Sequence, residues 1–133
     1  MTEHRWQGSA LLRPGLLAFI GSIGATDRHA HHAVQIITAT TALTVVDGTG
    51  VRHCGTKVIV PADAAHWIEA GAAAGSVVFL DPESIAGRAA NHRNFRFGWT
   101  ADPVLGHTRE RPLAAVVADL MEQLTPIPAA EPA

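Results

Sequence analysis

Apolar residues in the first eighty positions come in short runs cut by turn residues. GLLAFIGS (15–22) is bounded by Gly and Pro, HAVQIITAT (32–40) is rich in β-branched residues, and ALTVVD (42–47) runs into the turn cluster GTG. KVIVP (57–61) closes on Pro61, and HWIEA (66–70) and SVVFLD (76–81) flank the small-residue stretch GAAAG. Runs of this kind, at roughly 8–12-residue spacing, predict the strands of an all-β sandwich or barrel.

The pattern then changes. Asp81 is a good N-cap and Pro82 suits a first helical position, which predicts a short helix over 82–90. The polar stretch from Asn91 reads as a long irregular connection, with Phe95, Phe97 and Trp99 available to fold it over the strands. Leu113, Val116, Val117, Leu120, Met121 and Leu124 then recur at steps of three and four, the signature of a helix with one apolar face, and Pro112 suits its first turn. TPIPAAEPA at the end reads as a linker. The expected organisation is a barrel with its following loop over 1–110, a C-terminal helix over 111–125, and a Pro/Ala-rich linker or tail over 126–133.

Composition narrows the class. A chain of 133 residues, 47% hydrophobic and 17% charged, suits one globular domain with a sizeable core. The net charge of −2 and the scattered basic residues argue against a phosphate-backbone grip, so no nucleic-acid partner is expected for this chain itself. The single cysteine, Cys54, excludes an intrachain disulfide. MTEHRWQG does not read as a signal peptide, and no apolar run approaches the ~18 residues of a membrane helix. A cytoplasmic, membrane-free protein is expected.

The chemistry concentrates in RHAHHAVQI (28–36). His29, His31 and Gln35 differ by even steps, so they share one face if a strand runs back as far as residue 29. His32 would face the other way. His66, entering a later strand just past Pro61, is the fourth candidate. Three imidazoles and an amide oxygen suit a divalent transition metal. His53 and Cys54 suggest a second site, with ordinary packing favoured for Cys54; Trp67 reads as outer packing or an interface residue, and Asp63 as a turn residue. His92 and His107 receive no role.

These residues resemble the two motifs of the cupin superfamily, G-x5-H-x-H-x3–4-E-x6-G and G-x5-P-x-G-x2-H-x3-N. Four residues separate Gly24 from His29, one fewer than in the pattern. His29-x-His31-x3-Gln35 keeps the spacing, with Gln in place of the usual Glu and Ala42 in place of the closing Gly. Gly55-x5-Pro61 and the step to His66 both match, with Asp63 and Ala70 where Gly and Asn are usual. HAHHAVQI, KVIVPADAAHWI and VVFLDPESIAGRA are further similar to the N-terminal sensor domains of AraC-type transcriptional regulators. The resemblance spans about residues 9–125 and is strongest over 29–37 and 57–90. It implies a cupin-like jelly-roll barrel with short C-terminal helices, His29, His31, Gln35 and His66 as ligands of Zn, Ni, Fe, Mn or Cu, a small-molecule effector, and a homodimer formed through the C-terminal helix. The DNA-binding half of such regulators is not in this chain. The alternative is a stand-alone metal-dependent cupin enzyme of the dioxygenase or isomerase kind. A third reading is a dimerisation platform with an empty, degenerate site.

Overall fold

The computed structural model describes residues 7–102 and 112–124. Six antiparallel strands, β1 (Gln7–Arg13), β2 (Leu16–Ile23), β3 (Val34–Asp47), β4 (Arg52–Val60), β5 (His66–Ala70) and β6 (Ala72–Leu80), precede two helices, α1 (Ile85–Phe97) and α2 (Leu113–Leu124). The strand order is β1-β2-β6-β3-β4, with β5 paired to β3. Among the described residues this ladder does not close on itself.

The organising element is β3, which the sequence presents as two runs and the fold makes one 14-residue strand. Its first half pairs with β6 and with the end of β4, from Gln35↔Val60 to Thr38↔Lys57. Its second half pairs with the start of β4 and with β5, from Leu43↔Gly55 to Asp47↔His66. The register shifts between Thr38 and Leu43. Such irregularities bend a strand and let it pass from one layer to another.

The two faces of the first half follow the period-2 rule. Val34 and Ile36 join Ile59, Val78, Leu80, Leu16 and Ala18 in a core covered by Ala86 and Ala90 of α1 and Val117, Leu120 and Leu124 of α2. Ile37 and Ala39 face the other way, into a second core with Val58, Val60 and Val77. Leu43, Val45 and Ile68 from beyond the bend belong to that same core. The bent sheet therefore encloses one core on its concave side and is capped by helices on its convex side. The apolar stripe predicted for the C-terminal helix is consumed by its own sheet: Val116, Val117, Leu120 and Leu124 are buried there.

Other expectations shift for identifiable reasons. The stretch GAAAG is mostly strand, because β6 begins at Ala72. Gly71 supplies the turn; a Cβ there would lie 1.8 Å from the Ile23 carbonyl oxygen. The first helix starts three residues later than expected and runs on to Phe97. Ser84, not Asp81, is its cap, accepting from the Gly87 N–H at 3.0 Å. Asp81 instead accepts from the Glu83 N–H at 2.9 Å, an Asx-type turn. The second half of α1 is polar because hydrogen bonds anchor it in place of an apolar stripe. Asn91 accepts from the Ala62 N–H at 3.2 Å, and Asn94 donates to the Ile59 carbonyl at 2.8 Å. Arg93 pairs with the buried Asp102 at 3.0 Å and donates to the Gln123 carbonyl at 3.0 Å. Phe95 does not fold back over the strands; it is 87% exposed. Trp99 does, stacking on His53 with ring centroids 4.5 Å apart. His107 and the tail over 126–133 lie outside the described residues. Among the described residues no helix is long and apolar enough to cross a membrane.

Ile37→Ala, which empties a fully buried position of the concave core, is expected to cost about 2–5 kcal/mol of unfolding free energy. Phe95→Ala is expected to stay within about 0.5 kcal/mol of wild type. Urea unfolding followed by circular dichroism checks both.

Candidate metal centre

His29, His31 and His66 each bring one ring nitrogen to within 4.8 Å of the others. Ring centroids stand 4.5 Å apart for His29 and His31 and 4.4 Å for His29 and His66. Gln35 completes the group, its Oε1 lying 3.1 Å from His66 Nε2. The spacing of the sequence motif thus brings together all four predicted residues. It does so by a different route from the one expected.

The strand does not run back to residue 29; β3 starts at Val34. Of His29, His31 and Gln35, only Gln35 projects from a regular strand, on the concave face shared with Ile37, while His66 opens β5. His29 instead forms a two-way backbone pair with His66, the His29 N–H donating to the His66 carbonyl at 2.9 Å and the His66 N–H to the His29 carbonyl at 2.8 Å. This ladder-type pair sets the two rings side by side. His31 is held by the turn before β5, where the Asp63 N–H donates to its carbonyl at 2.7 Å. Asp63 has φ 65°, in the left-handed region. This is the position where the cupin motif has Gly, and Asp is among the few other residues that tolerate the conformation. Its carboxylate accepts from His32 Nδ1 at 3.0 Å, so His32 is an exposed latch facing away from the cluster. Neither this role of Asp63 nor the edge-on packing of Phe79 against His31, at 5.1 Å, was visible in the sequence, because each depends on which loops meet.

The hydrogen bonds prepare the rings as ligands. His29 Nδ1 lies 2.6 Å from the Asp27 carbonyl oxygen, and His66 Nδ1 lies 2.8 Å from the Ala64 carbonyl oxygen. A carbonyl only accepts, so both rings donate from Nδ1, and in a neutral ring that leaves the lone pair on Nε2. Backbone carbonyls orient metal-binding histidines in this way. For His66 the consequence is sharp. Its Nε2 lone pair faces the Gln35 amide oxygen, another acceptor, in a buried spot where His66 is 1% and Gln35 3% exposed. A cation held between the two, or an amide turned to present its NH2, satisfies both groups; protonating the ring does not come easily. Burial pushes the His66 pKa down, with the charges of His29 and His31 adding to it against the opposing Ala64 bond. Burial and then His29 push His31 down as well. Ligands around an ion at about 2.1 Å stand about 3–3.4 Å apart, so an inward movement of about an ångström per ring closes the site.

A second His–carboxylate pair is structural. Asp47 accepts from His53 Nε2 at 2.8 Å and from the N–H groups of Thr49 and Val51 at 2.8 and 3.2 Å. The Thr49 hydroxyl first, and His53 next, hold its carboxyl well below the usual range. The pair organises the β3–β4 turn. Cys54, expected to pack, is instead exposed and free.

No protein-family model matches the chain, and no curated protein matches it. Among solved structures, that of protein NMB1881 from Neisseria meningitidis is similar at 20% identity, covering 60% of this chain and 88% of the other, with a TM-score of 0.47. A likeness of this size carries no functional weight.

Two outcomes are expected. In metal-free protein the depressed His66 and His31 bind fewer protons folded than unfolded. Their contribution is complete above the ordinary imidazole pKa of about 6.5 and is lost as pH falls below it. The raised pKa of His32 acts with the opposite sign, but that ring is fully exposed. The melting midpoint should therefore drop between pH 7.5 and 5.5, and drop less in His66→Gln. Asp63→Gly should be close to neutral in thermal melts, whereas Asp63→Ala should lose about 1–2 kcal/mol, because alanine resists the left-handed backbone.

Proposed function

We propose that the protein is a cupin-type metal-binding domain of jelly-roll architecture, serving as a cytoplasmic small-molecule sensor of the AraC-regulator kind. The observation that carries the metal reading is the convergence of His29, His31 and His66, whose ring nitrogens lie within 4.8 Å of one another, with the Gln35 amide 3.1 Å from His66 Nε2. A nitrogen-rich set of this kind suits Zn, Ni, Cu or Fe. The sensor reading rests on the motif resemblance. An open surface groove lies nearby, lined by Phe79, Leu16, Leu17 and Arg13, and Phe79 also touches His31. Sensing further requires that ligand binding favour one of two conformations. A homodimer through α2 belongs to the same proposal. With the Val116–Leu124 stripe buried against the sheet, the pairing surface would be the exposed side bearing Ala114, Ala118 and Glu122.

The half-exposure of His29 and His31 favours a second reading, a metal-dependent enzyme, since catalysis needs an open coordination position. Turnover of a small-substrate panel by metal-loaded protein would decide for it.

The deciding measurement is metal content by elemental mass spectrometry on untagged protein. About one equivalent of a single transition metal is expected in wild type, with loss in His31→Ala. No metal in either after reconstitution would refute the metal centre.

A further inference from the structure

We infer that the centre takes its remaining ligand from solution as a small anion, and that Gln35 is the residue that imposes this selectivity. The inference rests on the metal-centre reading and concerns the charge of what binds there. Each donor is neutral: three imidazoles and one amide oxygen. A divalent ion held by them keeps its full double charge. Among the described residues no carboxylate forms an ion pair with His29, His31 or His66. Two nearby acids are engaged elsewhere, Asp63 with His32 and Asp47 with His53, and among the described residues no carboxylate joins the three imidazoles in one cluster.

The floor of the site, formed by His66 and Gln35, is excluded from water. An uncompensated double charge against such a floor has a large desolvation cost, which an opposite charge in contact offsets. His29 and His31 are only half-buried, so solution has access from their side. A carboxylate or similar small anion entering there supplies the charge that a glutamate at position 35 would have supplied from within. Glutamine therefore leaves the ion's charge for an exogenous anion to neutralise.

The test uses the full chain loaded with cobalt(II), whose visible absorption reports its ligands, titrated with acetate, azide and the neutral isostere acetamide. Wild type is expected to respond to acetate and azide and not to acetamide. Gln35→Glu should retain cobalt and bind both anions at least about tenfold more weakly. One equivalent of cobalt bound by Gln35→Glu, together with an unchanged circular-dichroism spectrum, guards against a misfolded glutamate variant. A cobalt-loaded wild type indifferent to both anions, or a Gln35→Glu protein binding them as wild type does, overturns the inference and leaves the metal centre standing. Failure of wild type to take up cobalt overturns both.

Discussion

The bend in β3 between Thr38 and Leu43 is the constraint on which the other features depend. A flat strand of that length would hold Gln35 and Asp47 about 40 Å apart. Yet His66, paired in register with Asp47, also touches Gln35. The strand can meet both demands only by folding the sheet over. Doing so encloses the concave core of Ile37, Leu43, Val45, Val58 and Ile68. The hydrophobic gain from that enclosure thus holds the shape, and the polar cluster sits at one end of it.

Within the cluster, backbone carbonyls do the orienting that carboxylates often do elsewhere. Asp27 and Ala64 fix two rings through main-chain oxygens, which adds no charge to the site. The molecule has His–carboxylate pairs, but it uses them to fasten turns: Asp63 with His32 outside the cluster, and Asp47 with His53 at the β3–β4 connection. Among the described residues no carboxylate belongs to the cluster of three rings.

The strands were legible because turn residues separate apolar runs, and the C-terminal helix because its periodicity is strong. The union of two runs into β3 was not, since Thr40, Thr41 and Ala42 at the bend are exposed and interrupt the apolar pattern. The far half of α1 was hidden for a related reason: Asn91, Arg93 and Asn94 attach it by hydrogen bonds, which leave no periodic trace. The four site residues were legible from spacing, while the geometry behind the spacing was not. Even steps suggested a common strand face, whereas His29 and His31 are placed by backbone bonds to His66 and Asp63, partners more than thirty residues away.

The polar anchoring of α1 has a mechanical consequence. One end of its hydrogen-bonded track holds the Ala62 N–H, in the turn that carries Asp63 and leads into His66. Two residues on, Arg93 grips the last turn of α2 at the Gln123 carbonyl. The helix thereby ties the turn beside the imidazole cluster directly to the last turn of α2.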